Sequence, residues 1–196
     1  MLKLEDLKIP DVEAVSLTIH PGECIGLCGD SGSGKTRLLR AIADMDEHGG
    51  QVYADESAQS DVSGHEWRRR VSLLPAESLW WFDCIGEHFH AHEPQLRVLG
   101  FDEAVLNWQV SRCSSGEKQR LAVLRLLAHC PRVLLLDEPS ANLDGGNAGR
   151  VEALIQDYLD THNAMAIWVS HDPTQLERMA SASYRIADGR LEALAS

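Results

Sequence analysis

Glu23-Cys24-Ile25-Gly26-Leu27-Cys28-Gly29-Asp30-Ser31-Gly32-Ser33-Gly34-Lys35-Thr36 is the stretch on which the fold of this chain turns. Residues 23–28 are a short, mainly apolar run and predict a buried strand. Residues 29–36 then match the phosphate-loop pattern G-x-x-x-x-G-K-[ST]. Its glycines let backbone N–H groups converge on phosphate oxygens without a Cβ in the way. A helix is predicted over Thr36–Met45, with Leu38, Leu39 and Ile42 on one face, and its positive dipole end favours an anion. Lys35 adds a point charge and Thr36 offers a hydroxyl to Mg²⁺. The candidate nucleotide-binding residues are therefore Gly29, Asp30, Ser31, Gly32, Ser33, Gly34, Lys35 and Thr36.

Outward from this loop, apolar strands alternate with helices. Leu2–Leu4 and Val12–Ile19 alternate as half-buried strands do, and Gly49-Gly50 breaks the first helix before an extended stretch over Gln51–Ala54. Val71–Leu74, Val133–Leu136 and Ala164–Ser170 read as buried strands, Gly116–His129 and Asn147–Asp160 as helices. Tyr184–Ala187 and Leu191–Leu194 form a hairpin about Asp188-Gly189. Residues 78–108 carry three Trp and several His with no period-2 alternation, and are expected to be a mainly helical insertion. The pattern predicts an α/β fold with a largely parallel sheet. In such a sheet Val133-Leu134-Leu135-Leu136 delivers Asp137 to the C-terminal edge, where it can hold Mg²⁺ together with Thr36. Glu138 then projects toward the terminal phosphate and can polarise an attacking water.

A third element narrows the reading. Cys113-Ser114-Ser115-Gly116-Glu117-Lys118-Gln119-Arg120 resembles the ABC signature LSGGQ-x-QR. Asn142-Leu143-Asp144 looks like the D-loop, and Val169-Ser170-His171-Asp172 like the switch histidine. Four motifs in this order resemble the nucleotide-binding domain of an ABC transporter over essentially the whole chain. The resemblance implies a P-loop NTPase, RecA-like core with an N-terminal antiparallel β subdomain and a short inserted helical subdomain. It implies one domain over 1–196, with the core at about 1–76 and 131–196 and the helical subdomain at about 77–130. It further implies an ATPase that binds ATP and Mg²⁺, with Glu138 and His171 catalytic. Ser114, Ser115, Gly116 and Glu117 would face the nucleotide of the other protomer in a head-to-tail homodimer or paired cassette, with Asp144 in the D-loop. A separate transmembrane permease subunit is the implied partner.

Three departures from the family pattern stand out. Pro75 is followed by Ala76 and Glu77 where the family has a Gln, so Glu77 reaches the metal corner only if the loop shifts by one residue. No aromatic precedes Val12 to stack on adenine, leaving Ile9 and Val12 as apolar contacts. Cys113 and Ser115 replace the usual Leu and Gly. Trp80, Trp81 and Phe82 read either as an interface anchor for the membrane partner or as core packing. His88, His90 and His92 read either as a transition-metal site or as a solvated helix face. The Trp67-Arg68-Arg69-Arg70 run is expected to be a solvated strand start.

The 196 residues suit one domain, and the 44% of hydrophobic residues suffices for a core. The formal charge of −12, with 14 Arg but only 4 Lys, argues against nucleic acid as a partner. No apolar run approaches the ~20 residues needed to span a bilayer and MLKLEDLKIP lacks a signal-peptide core, so the expectation is a soluble, intracellular protein; the resemblance implies a cytoplasmic location, peripheral on the cytoplasmic face of the cell membrane. Five scattered cysteines without a Cys-x-x-Cys pair predict reduced thiols packed as small hydrophobes. The alternative function within the resemblance is a soluble, non-transport ABC ATPase, for example of the iron–sulfur cluster assembly type.

Overall fold

The computed structural model describes residues 1–89 and 95–194. In chain order its strands are β1 (Leu2–Ile9), β2 (Val12–Ile19), β3 (Cys24–Gly29), β4 (Gly49–Ala54), β5 (Ser57–Ala58), β6 (Val71–Leu74), β7 (Val133–Asp137), β8 (Met165–Val169), β9 (Ala182–Ala187) and β10 (Arg190–Ala193). The α-helices are α1 (Lys35–Ile42), α2 (Gly64–Arg70), α3 (Ser115–Leu127), α4 (Gly145–His162) and α5 (Pro173–Met179). An antiparallel sheet of order β2-β1-β4-β5 packs beside a six-stranded sheet of order β10-β9-β3-β8-β7-β6. The second sheet is parallel from β9 to β6 and closes with the antiparallel β9–β10 hairpin.

The continuous apolar runs find their reason in this order. Strands β7 and β8 lie inside the sheet with both faces covered, and every residue of each is buried. Alternate residues feed two cores. Leu134, Leu136, Ala166 and Trp168 pack with Leu121, Leu124, Ile155 and Leu159 of α3 and α4. Val133, Leu135, Met165 and Ile167 pack with Leu38 and Leu39 of α1 and with Leu4 and Leu7 of β1. Fully burying each Val, Leu, Ile or Met side chain among these contributes about 1.5–3 kcal/mol, so the sheet that carries the site is firmly held. Cys24 is buried and Cys28 packs against the same core, as the same-face spacing on β3 requires. Burial pushes the Cys24 thiol up to about 12, so it stays protonated and packs as a small hydrophobe.

Two expectations are corrected. The Trp67–Arg70 run is the end of helix α2, not a strand start. Ser63 caps this helix through the Glu66 backbone N–H, and the Glu66 carboxylate accepts from the Ser63 N–H in return, forming a capping box. Trp67 is fully buried and its indole donates to the Ile42 carbonyl at 2.8 Å, which fixes the helix on the end of α1. The insertion is helical only in short pieces. Ile85–His88, Leu96–Leu99, Glu103–Asn107 and Val110–Arg112 are single 3₁₀ turns, and among the described residues no α-helix precedes α3 there. Each piece is three to five residues long, too short to repay α-helix nucleation.

His88 fits neither of its two expected roles. It is buried, with Nδ1 on the Cys84 carbonyl at 3.1 Å, while Nε2 accepts from the Trp81 and Phe82 backbone N–H groups, both at 3.1 Å. Both ring nitrogens are committed, so His88 has no lone pair for a metal. His90 and His92 lie outside the described residues, and among the described residues no group of three or more His, Cys, Asp or Glu could hold a metal ion. Around His88 the aromatic cluster divides. Trp80 packs on the core, whereas Trp81 is 65% exposed and Phe82 41%. The Arg125 guanidinium lies 4.4 and 4.8 Å from the Trp80 and Trp81 ring centroids.

This arrangement gives a pH prediction. Burial lowers the His88 pKa most, the Cys84 carbonyl pulls it up, and nearby Arg125 lowers it again, for a net depression. The unfolded imidazole titrates near ~6.5. Stability from neutral His88 is therefore complete above that value and is lost as pH falls toward the lower native pKa. We expect His88→Gln to melt below wild type at pH 7.5 and the gap to shrink by pH 5.0. A gap in melting temperature that does not change with pH contradicts the assignment.

Candidate functional site

Strands β3, β8 and β7 are parallel neighbours, so their C-terminal ends reach one edge of the sheet. There β3 runs into the glycine loop, β7 ends at Asp137 with Glu138 next, and β8 leads to Ser170 and His171. Ser31, Gly32, Gly34, Lys35, Thr36, Asp137, Glu138 and His171 line a single cavity of about 340 Å³, together with Arg37 and Ala76.

The loop is shaped by backbone conformations that side chains resist. Gly34 caps α1 at φ +108, and a Cβ there would meet Val12 Cγ2 at 2.8 Å. Gly32 sits at φ +81 with open space where a side chain would project. Lys35 is 7% exposed and folds back over the loop, its ammonium donating to the Gly29 carbonyl at 2.8 Å and the Asp30 carbonyl at 2.9 Å. The Ser33 hydroxyl is buried and has no hydrogen-bond partner among the described residues. An orphaned hydroxyl, an ammonium resting on carbonyls and an open glycine cradle at a helix N-terminus are a donor set that fits phosphate oxygens.

The metal corner is built from two oxygens. Thr36 Oγ1 donates to Asp137 Oδ2 at 2.7 Å, and Asp137 is 5% exposed. A hydroxyl and a carboxylate this close are the hard ligands Mg²⁺ takes. Glu138 follows in the left-handed region, φ +50, with its N–H donating to the Val169 carbonyl at 3.2 Å. That conformation costs a non-glycine residue about 1 kcal/mol or more. It carries the carboxylate off the line of the strand to meet His171, with Nε2 2.9 Å from Oε1.

The remaining sequence candidates lie outside this cavity. Ala76 lines it, whereas Glu77 is exposed and not among its lining residues. Ser114 is the N-cap of α3: its hydroxyl accepts from the Glu117 N–H, and the Glu117 carboxylate accepts from the Ser114 N–H at 2.8 Å and hydroxyl at 2.9 Å. The Ser114 N–H and hydroxyl also hold the Glu117 carboxyl below the usual carboxylate range, against a smaller effect of burial. Ser115 and Gly116 open the helix beyond that cap. Asp144 caps α4 through the Asn147 N–H at 2.9 Å and amide at 2.7 Å. Sequence reasoning did not single out Arg37, which lines the cavity and pairs with Asp11 at 2.8 Å. Its position directly after Thr36 was the available signal.

A family model described as ABC transporter matches residues 12–141. The chain is 32% identical over 191 residues to the aliphatic sulfonates import ATP-binding protein SsuB 3 of Paraburkholderia xenovorans (strain LB400), covering 93% of this chain and 73% of that protein. It is equally 32% identical over 206 residues to the lipoprotein-releasing system ATP-binding protein LolD of Maricaulis maris (strain MCS10), covering 94% and 89%. In fold it is similar to the dimeric post-hydrolysis state of the ATP-binding cassette MJ0796 bound to ADP and Pi, with a TM-score of 0.85, 23% identity and full coverage of both chains.

Proposed function

This chain belongs to the ABC transporter family, and from that membership we propose that it is the ATPase subunit of a membrane transporter, hydrolysing MgATP to drive a separate transmembrane partner. The observation that carries the reading is the convergence of Lys35, Thr36, Asp137, Glu138 and His171 on one cavity of about 340 Å³ at the sheet edge.

In this reading Gly29, Asp30, Ser31, Gly32, Ser33, Gly34, Lys35 and Thr36 wrap the phosphates, with the Lys35 ammonium offsetting their charge. Thr36 and Asp137 hold Mg²⁺, which supplies charge neutralisation on the phosphate oxygens. The His171 ring nitrogen donates to Glu138 Oε1 and leaves Oε2 to receive a proton from water. That water attacks the γ-phosphorus as its bond to the ADP oxygen breaks. With no aromatic before Val12, the base meets Ile9 and Val12.

Two ATP molecules close a head-to-tail dimer, each γ-phosphate meeting the N-terminus of the other protomer's α3 at Ser114, Ser115, Gly116 and Glu117, with Asp144 at the seam. Among the described residues no helix is long and apolar enough to cross a membrane; as an ATP-binding subunit like its relatives, the chain works peripherally on the cytoplasmic face of the membrane. Exposed Leu79, Trp81 and Phe82, beside a groove of about 340 Å³ containing Met45, Arg68 and Arg125, present the surface for the transmembrane partner. Pro75 lines this groove and the next residue, Ala76, lines the nucleotide cavity, so the segment after β6 runs between the partner surface and the nucleotide, with exposed Glu77 beyond it. Relatives of equal identity serve aliphatic sulfonates and lipoproteins, and the cargo is set by that partner. Both are transport proteins, and no observation favours the iron–sulfur assembly alternative.

The test is phosphate release by the purified chain. We expect turnover of ATP with Mg²⁺, none after chelation by EDTA, and a loss of about 10-fold or more in Asp137→Asn, which weakens a ligand while keeping its shape. Hydrolysis indifferent to both EDTA and Asp137→Asn overturns the proposal.

A further inference from the structure

Gln175 of α5 is a polar side chain without a part in the mechanism above, yet it is 6% exposed and fully engaged. Its Nε2 donates to Ser140 Oγ at 2.7 Å and to Glu152 Oε1 at 2.7 Å, and its Oε1 accepts from the Trp168 indole at 3.2 Å. The two ends of the amide are assigned by chemistry: an indole N–H only donates and a carboxylate only accepts. Glu152 of α4, itself buried, is held in turn by two Arg178 bonds at 3.0 and 3.1 Å. Burial raises the Glu152 pKa, but the hydrogen bonds from Arg178 and Gln175 outweigh it, so the carboxyl titrates below the usual range.

The anchors of this clamp decide what it does. Ser140 lies two residues beyond Glu138 on the loop after β7. Trp168 lies three residues before His171 on β8. The Glu138–His171 contact of 2.9 Å joins those same two segments. Gln175, Glu152, Ser140, Glu138 and His171 also share one cleft of about 530 Å³. A single amide thus spans the two segments whose separation sets the acid–imidazole distance.

We propose that Gln175 is a positioning residue for hydrolysis, tying the Ser140 segment to Trp168 and Glu152 so that Glu138 and His171 stay within bonding distance. The inference rests on the assignment of Glu138 and His171 given above. Displacement of a reacting group by about 1 Å costs up to ~10²-fold in rate, so loss of the clamp acts on kcat. The loop of Gly29–Thr36 makes no contact with Gln175 among the bonds described, so the KM for ATP stays put.

The experiment measures steady-state and single-turnover ATP hydrolysis for Gln175→Leu, Gln175→Glu, Glu152→Gln and the double variant Gln175→Glu/Glu152→Gln. The leucine variant removes the amide at similar size. Each charge-changing single variant spoils the amide–carboxylate bond, whereas the double variant exchanges its two ends and leaves a carboxylate three residues from Arg178 on α5. We expect kcat to fall about 10-fold in the three single variants with KM within twofold, and the double variant to recover to within about threefold of wild type. In a Glu138→Gln background, Gln175→Leu should cause no further loss, because there is no longer a carboxylate to position. Wild-type kcat in Gln175→Leu, a double variant no better than its singles, or an equal loss in both backgrounds overturns the inference. Should the leucine variant fail to fold, the double variant and its singles decide the matter. A Glu138→Gln protein that turns over like wild type overturns the underlying assignment instead, and the two failures are thereby distinguished.

Discussion

Glu138→Gln is expected to lower ATP turnover by on the order of 10²-fold or more, the range that removal of a general base produces. The substitution keeps the shape of the side chain and its ability to accept from His171, whose Nε2 lies 2.9 Å from Oε1. It removes the basicity that would take the water proton, and one negative charge opposing the γ-phosphate. ATP binding should survive, because Lys35 and Thr36 lie on the glycine loop and helix α1, and Asp137, although next to Glu138, is bonded to Thr36 independently of it. Phosphate release and nucleotide affinity measured on the same preparation check both halves. Unchanged turnover removes Glu138 from the chemistry. A parallel loss of affinity makes it a binding residue.

Lys35→Ala carries the second large effect, on binding itself. The Lys35 ammonium sits on the Gly29 and Asp30 carbonyls, so it presents charge to the cavity and also holds the loop open around it. Hydrogen bonds to charged groups contribute about 1.5–3 kcal/mol each. Losing two of them to the phosphates corresponds to at least ~10²-fold in affinity. Calorimetry should detect no binding at micromolar ATP. Wild-type affinity in this variant is incompatible with a phosphate loop at residues 29–36.

Residues 23–36 were legible because their information is local. A strand, a run of glycines tolerating positive φ and a helix start are each specified within a few residues, and the structure places them at Cys24–Gly29, Gly29–Gly34 and Lys35–Ile42. The parallel sheet was legible because strands covered on both faces must be apolar throughout, as β7 and β8 are. Helix α2 is not legible in Trp67–Arg70 alone, because the deciding signal, Ser63 with Glu66 three residues on, lies upstream. His88 was misread because its burial depends on Trp80, Trp81 and Phe82 folding over it, which no spacing of histidines reveals. The Gln175 clamp draws on Ser140, Glu152 and Trp168, residues up to 35 positions away in the chain. It appears only once β7, β8, α4 and α5 are packed together.

In the proposed mechanism ATP is held between two copies of this chain at a site where Glu138 drives hydrolysis. Its most direct test is size-exclusion chromatography with light scattering on Glu138→Gln, in MgATP and in ADP. We expect a species of twice the 21.7 kDa chain mass in MgATP and the single chain in ADP. A protein that stays at the single-chain mass in MgATP while hydrolysing ATP at the wild-type rate would contradict it.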